Sequence, residues 1–335
     1  MGNQARLQCP VCQKCYAEPM KFCPEHGQPL VPLVTGYRGG SVREPIGQLI
    51  GDKYRVLERI GEGGMGAVYR VEHQDMGKQL AMKLLHANLS SSEQAVVRFQ
   101  REAKAASTIV HPHVIRVWDS GITEDGRFFL VMELLSGKDL FDVLKEERIL
   151  PPERTINILR QVCAGLDEAH RLGIIHRDMK IENVFLSANA EFPEFVKILD
   201  FGIAKWLHQT PDGRTLTATG VVFGTPEYLS PEQAAGLEID HRADLYSLGI
   251  IAYRMLAGTL PFYEQDKQKL IQQQLHQLPL PFADRRMPQE VPADLEAIVF
   301  KLLAKDPDDR FQTADEVKQA LERVVFTQPI HWVEY

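Results

Sequence analysis

Between Tyr54 and about Phe326 the chain is strongly patterned, and the pattern changes character near Leu135. Before that point come three short β-type runs, YRVLERIG, GAVYRVEH and LAMKLLH. A helical stretch, SSEQAVVRFQREAKAASTI, follows, with serines placed to cap its start. Two further runs, VIRVWDSG and RFFLVMELL, flank Asp125-Gly126, a dipeptide suited to a tight turn. After Leu135, long segments of helical apolar periodicity appear at 153–172, 241–257, 293–304 and 313–325. This order predicts a small β-rich lobe followed by a larger helical lobe, with a ligand cleft between them. The patterned region shows no internal repeat.

Gly61-Glu62-Gly63-Gly64-Met65-Gly66 matches G-x-G-x-x-G. In a dinucleotide-binding fold such glycines lead from a strand into a helix. Here they stand between two β-type runs, with Val68 two residues beyond. That context suits backbone amides closing over phosphate oxygens, with Gly61, Gly63 and Gly66 removing the Cβ atoms that would intrude. Lys83, in LAMK on the third strand, is placed to reach nucleotide phosphates, and Glu102 in the following helix offers it a partner. Alone, either residue would read as a solvated surface charge. The ordered set favours a nucleotide site.

His176-Arg177-Asp178-Met179-Lys180-Ile181-Glu182-Asn183 is the most specific stretch of the chain, and Asp200-Phe201-Gly202 follows it. The two resemble the H-R-D-x-K-x-x-N catalytic loop and the D-F-G motif of protein kinases. Over about residues 54–326 the chain resembles a Hanks-type, eukaryotic-like Ser/Thr protein kinase of the bacterial kind. The resemblance implies an α+β, bilobal protein-kinase fold and an enzyme that uses ATP and Mg²⁺, with Mn²⁺ able to substitute. Phosphoryl transfer depends on positioning and charge neutralisation more than on covalent help.

By that likeness Asp178 orients the substrate hydroxyl and accepts its proton, while Asn183 and Asp200 hold the hard cation through oxygen. Lys180 steadies the transferring phosphate and points to the Ser/Thr class; His176 supports Phe201 and the loop backbone. Met132 resembles the gatekeeper, with Glu133 and Leu135 offering backbone groups to adenine. Val68, Ala81 and Phe185 resemble the residues that enclose the base, although plain core packing would select the same apolar types.

The segment Gly224-Thr225-Pro226-Glu227-Tyr228-Leu229-Ser230-Pro231-Glu232 resembles the end of a kinase activation segment, with Ser230 where the family has Ala. Glu232 is expected to pair with Arg310, and Asp244 to brace the catalytic loop; Leu245 stands where eukaryotic members carry Trp. Thr225 is expected to contact Asp178 and Lys180. Arg177 beside the catalytic aspartate suggests control by loop phosphorylation, with Thr217 and Thr219 ahead of Thr215 as autophosphorylation sites. An ATP-binding pseudokinase scaffold would be expected to lose Lys83, Asp178, Asn183 or Asp200, and all four are present. A small-molecule phosphotransferase usually lacks the Gly224–Glu232 platform, so protein substrates are expected.

The first 30 residues differ in composition. Four of the five cysteines fall within residues 9–23, too clustered and too odd a number for a secreted disulfide framework. Cys9-Pro10-Val11-Cys12 and Cys23-Pro24-Glu25-His26 resemble half of a zinc ribbon, with Cys9, Cys12, Cys23 and His26 as ligands to a structural Zn²⁺ and Cys15 able to replace one of them. So short a segment needs a metal in place of a core. A disordered tail or a redox C-x-x-C pair are the other readings. Recruitment of a protein partner is the first expected role for such a module, and intramolecular regulation the second. The expected division is a zinc-ribbon-like module at 1–30, a linker at 31–53, the kinase domain at 54–326 and a tail at 327–335. Cys163, alone in a helical pattern, reads as a buried inert thiol. The net charge of -7 invites neither nucleic acid nor an anionic membrane. With no apolar run of roughly 18 residues, no signal-peptide core, and Arg6 where a myristoylation signal has Ser or Thr, a cytoplasmic location is expected.

Overall fold

The computed structural model describes residues 6–8, 15–17, 31–32, 44–63, 66–86, 93–187, 194–201, 226–284 and 289–325, and the chain divides between Pro45 and Ile46 into two units. In the first unit, strands β1 (Arg6–Gln8), β2 (Cys15–Ala17) and β3 (Val31–Pro32) form an antiparallel sheet in the order β2-β1-β3. Gln8 lies opposite both Cys15 and Val31. Val31–Pro32, assigned to a linker from sequence, therefore pairs with the cysteine-rich segment.

The second unit begins with a six-stranded antiparallel sheet: β4 (Leu49–Ile50), β5 (Tyr54–Gly63), β6 (Gly66–His73), β7 (Gln79–Leu85), β8 (Val117–Ile122) and β9 (Phe128–Glu133), in the order β4-β5-β6-β7-β9-β8. Leu49–Ile50, also read as linker, pairs with Arg55 and Tyr54, so this sheet starts earlier than expected. Successive side chains of a strand face opposite ways. On β7, Leu80, Met82 and Leu84 enter an apolar cluster with Tyr54, Val56 and Val131. Ala81 and Leu85 turn to the other face, where Phe99, Ala103 and Ala106 of helix α1 (Glu93–Thr108) pack on Phe128, Leu130 and Met132. The same alternation puts Lys83 on the α1 face.

Among the described residues after β9, the unit holds helices and one short sheet of β10 (Gly137–Asp139), β11 (Val184–Ser187) and β12 (Phe195–Ile198). Its helices are α2 (Leu140–Glu147), α3 (Pro152–Arg171), α4 (Pro231–Ala235), α5 (Arg242–Ala257), α6 (Lys267–His276), α7 (Ala293–Leu302) and α8 (Ala314–Glu322). Asp139 caps α2 by accepting from Asp142 N, and Pro152 opens α3, where a missing N–H costs nothing. Helix α5 is buried on nearly every side and forms the centre of the largest apolar core, as its all-round apolar sequence requires. Among the described residues, no helix is long and apolar enough to cross a membrane.

Candidate active site

The hairpin of β5 and β6 pairs Gly63 with Gly66 across a two-residue link, so the glycine run is a strand-to-strand turn. The glycines have different reasons to be there. A Cβ on Gly66 would stand 2.2 Å from the Leu84 carbonyl oxygen, so this glycine lets β6 and β7 approach. Cβ atoms on Gly61 or Gly63 would meet nothing closer than 3.8 Å, which leaves these two edges open to a ligand. Val68, Ala81, Met132 and Leu135 belong to the apolar cluster beneath the hairpin. Phe185 lies on β11, opposite Lys197 in register.

Across the cleft, the register of β11 and β12 pairs Val184 with Ile198 and lets Leu199 N donate to Asn183 O at 2.9 Å. Two residues far apart in sequence, Asn183 and Asp200, are thereby brought to the same end of one hairpin. Asn183 is buried and donates from Nδ2 to the Asp178 carbonyl at 2.7 Å, which leaves its amide oxygen as the acceptor end of the side chain. Lys180 Nζ lies 3.4 Å from Asp178 Oδ2.

The catalytic loop is tied from behind. Asp244, at the start of α5, accepts from His176 N and Arg177 N at 2.8 Å each and faces His170 Nε2 at 2.8 Å. Burial alone would raise the Asp244 carboxyl, but the His170 bond, with His176 adding to it, holds it below the usual carboxylate range. These bonds sustain Arg177 at φ 63°, a strained backbone for a side-chain-bearing residue. His176 Nε2 reaches the Leu199 carbonyl at 2.7 Å, and its ring packs 4.7 Å from Phe201, which is buried. Glu232 and Arg310 form a bidentate pair with both bonds at 2.8 Å.

One expected partnership is replaced. Lys83 was expected to pair with Glu102, but its Nζ bonds Asp200 Oδ2 at 2.5 Å, and among the described residues Glu102, half-buried on α1, forms no ion pair. Asp200 takes a left-handed φ of 50°, and it is this carboxylate rather than the one on α1 that reaches the ammonium. Burial would raise the Asp200 carboxyl, yet Lys83 first, then His176 and Lys180, outweigh it and keep the group ionised. An ionised carboxylate beside an amide oxygen suits Mg²⁺, which takes hard oxygen donors.

Two side chains not singled out from sequence, His170 and Gln233, also shape the site, and Glu133 does so through its side chain beyond the backbone role expected of it. His170 adds a contact to Asp244 beyond the two backbone amides. Gln233 Nε2 donates to the Arg177 carbonyl, and with Ser230 it forms the capping box of α4; the S-x-x-Q spacing was the visible signal. Glu133 accepts from Arg116 N at 2.8 Å and Lys197 Nζ at 2.7 Å, joining β9 to the loop before β8 and to β12. Gly202, Thr215, Thr217, Thr219 and Thr225 lie outside the described residues, as do Cys9, Cys12, Cys23 and His26. No cluster of three metal-ligating side chains occurs among the described residues.

Known proteins are similar to this chain over the region that carries the site. A family model described as protein kinase domain matches residues 54–323. The chain is 44% identical over 281 residues to serine/threonine-protein kinase pkn3 of Myxococcus xanthus, covering 84% of this chain and 51% of that protein. It is 42% identical over 279 residues to pkn2 of the same organism, covering 83% and 33%. The chain thus spans about half or less of the length of these curated relatives. Among solved structures, the kinase domain of Mycobacterium tuberculosis PknI superposes with a TM-score of 0.64 at 28% identity, covering 82% of this chain and 97% of that one. The family model spans the hairpin, the braced loop and the β11–β12 register, and the chain belongs to the protein kinase domain family.

Proposed function

We propose that the chain transfers the γ-phosphoryl group of ATP to serine or threonine hydroxyls of proteins. The observation that carries this reading is the catalytic loop itself, where Asp178 sits on a backbone fixed by Asp244 and beside Lys180 and Asn183. Asp178 orients the substrate hydroxyl and takes its proton as the new O–P bond forms and the bond to the leaving diphosphate breaks. Lys180 screens charge on the moving phosphoryl group. Asn183 and Asp200 would hold Mg²⁺ through their oxygens, and the ion would supply neutralisation of phosphate charge. The names of the relatives support the Ser/Thr class.

The test is transfer of labelled phosphate from ATP with Mg²⁺ to the chain itself and to a generic basic protein. Label on Ser or Thr in the wild type should fall by about 100-fold or more in Asp178→Asn. A wild type that binds ATP but transfers nothing, even after prior phosphorylation, would instead support a scaffold. Autophosphorylation at Thr217, Thr219 or Thr215 belongs to the same proposal, and peptide mass spectrometry after ATP incubation should find added phosphate within residues 214–220.

For the first unit the proposed role is a zinc-stabilised module that recruits a protein partner. The pairing of β1 with β2 makes residues 9–14, with Cys9 and Cys12, the link between two antiparallel strands, and residues 18–30, with Cys23 and His26, join β2 to β3. Three thiolates and an imidazole are a tetrahedral zinc set. Metal analysis of the purified chain should find one zinc per molecule; far less would remove the proposal.

A further inference from the structure

Lys305 is a half-buried cation with no carboxylate partner among the described residues. Burial first, then the neighbouring Arg310 cation, pushes its pKa down to about 7. Holding a lysine in such a place costs stability, and its contacts give the position another use. Its Nζ lies 2.8 Å from the Gln274 carbonyl, 3.0 Å from Tyr246 Oη and 4.2 Å from the centre of the Phe262 ring. Even the neutral amine keeps two N–H donors, enough for both polar contacts.

Those contacts begin a chain of hydrogen bonds that ends at the turn after the activation segment. Tyr246 and Gln274 are fully buried. Tyr246 Oη donates to Gln274 Oε1 at 2.7 Å; Gln274 Nε2 donates to the Glu227 carbonyl at 2.8 Å and faces the Pro226 carbonyl at 3.4 Å. The direction of every link is forced. Two carbonyls at the far end require the amide nitrogen of Gln274, which leaves its oxygen for Tyr246. The tyrosine hydrogen is then used, and its oxygen accepts from Lys305. Lys305 also holds the backbone of Gln274, which lies in the last turn of α6, where carbonyls lack an intrahelical partner. On its other side the Pro226–Tyr228 turn meets the catalytic loop. Ile181 N bonds the Tyr228 hydroxyl, and Gln233 Nε2 of α4 donates to the Arg177 carbonyl.

Resting on the kinase reading, we infer that Lys305 is a positioning residue which, through Tyr246 and Gln274, fixes the Pro226–Tyr228 turn against which a protein substrate lies. Its effect falls on how well that turn is set before the substrate arrives, and so on capture of the protein and not of ATP. Loss of one link strands a buried polar atom and lets the turn sample other positions. The backbone of Lys305 is itself held, since its carbonyl accepts from Arg310 Nη2 at 3.0 Å.

The test uses the full chain and steady-state transfer from ATP with Mg²⁺ to a generic basic protein, with the KM for ATP and the KM for the protein measured separately. Tyr246→Phe keeps the ring and removes the hydroxyl, and Lys305→Met keeps the stem and removes the donors. Each should raise the KM for the protein by about tenfold, the scale of one buried hydrogen bond, and leave the KM for ATP unchanged. The double variant should be no worse than the more severe single one, because both remove links of one chain. Lys305→Arg, which retains donors, should keep most of the wild-type value. Tyr246→Phe decides the matter should Lys305→Met not fold. An unchanged KM for the protein, a parallel rise in both KM values, or single effects that multiply in the double variant overturns the inference. Amide hydrogen exchange separates the two claims, since residues 226–229 should exchange faster in both variants while α3 keeps its wild-type rate. A wild type that transfers nothing, with the turn loosened in both variants, would defeat the kinase reading alone. Transfer by the wild type, with neither KM nor exchange altered in the variants, would defeat this inference alone.

Discussion

Two ion pairs, one within the helical part and one joining β7 to the segment after β12, show what the same chemistry does at different depths. Arg310 and Glu232 have side chains 0% and 7% exposed, and the pair is saturated. All five guanidinium N–H groups are used, on both Glu232 oxygens and on the carbonyls of Ala304, Arg242 and Lys305. Lys83 and Asp200 are 17% and 34% exposed, and Lys83 has donors to spare with a second carboxylate, Glu102, on a separate helix. The first pair can only be kept or broken. The second can exchange partners, which is what a site that must admit a charged nucleotide requires. Burial with full satisfaction makes a strut, and partial exposure with surplus capacity makes a working contact.

The comparison breaks most directly at Arg310. Arg310→Met should cost about 3–5 kcal/mol in chemical denaturation, because it strands the Glu232 carboxylate. A loss below about 1 kcal/mol would put this pair in the same class as an exposed one. Lys83→Met should show the opposite pattern. Its stability should change by about 1 kcal/mol or less, while phosphate transfer drops by about 100-fold or more.

The phosphate hairpin offers a smaller version of the same contrast. Gly66→Ala forces a Cβ against Leu84 O and should destabilise by about 1–3 kcal/mol. Gly63→Ala, whose Cβ finds open space, should stay within about 0.5 kcal/mol. Equal effects at the two glycines would mean that β6 can move away from β7.

The last expected effect is a slope. Lys305 donates to Tyr246 Oη at 3.0 Å and to the Gln274 carbonyl at 2.8 Å, lies over the Phe262 ring, and has no carboxylate partner among the described residues. Burial first, then Arg310, lowers it from 10.5 to about 7. Between those values the unfolded chain holds a proton that the folded chain has released, so stability should rise as pH climbs from about 7 toward 10.5. Below about pH 7 both states are protonated and the penalty is complete. Thermal melts across this range should show the rise in the wild type and a flatter profile in Lys305→Met.

Much of the architecture was legible because its signals are local. Strands β5, β6 and β7 follow from period-two runs, and α3, α5, α7 and α8 from period-3.6 runs. Helix α6 was not anticipated. Only Leu270 and Gln274 of KQKLIQQQLH are buried, too thin an apolar face to register as periodic. Helix α2 and the β10–β12 sheet are short and were missed for the same reason. The catalytic loop, D-F-G and Glu232–Arg310 were reached through family likeness, not through spacing. The Lys83 partner was misassigned because both carboxylates were visible as residues, while the choice between them depends on where α1 and the Asp200 backbone sit.

The sequence by itself determined the long elements, the order of the two lobes and the family, since these rest on periodicity and contiguous motifs. Only the tertiary structure decided which charges meet. It set the β11–β12 register that brings Asn183 and Asp200 to one end of a hairpin, and the turn at Asp200 that captures Lys83. Such pairings depend on distances between elements far apart in the chain, and on a competition among partners that Coulomb energy and burial settle only after the core has closed.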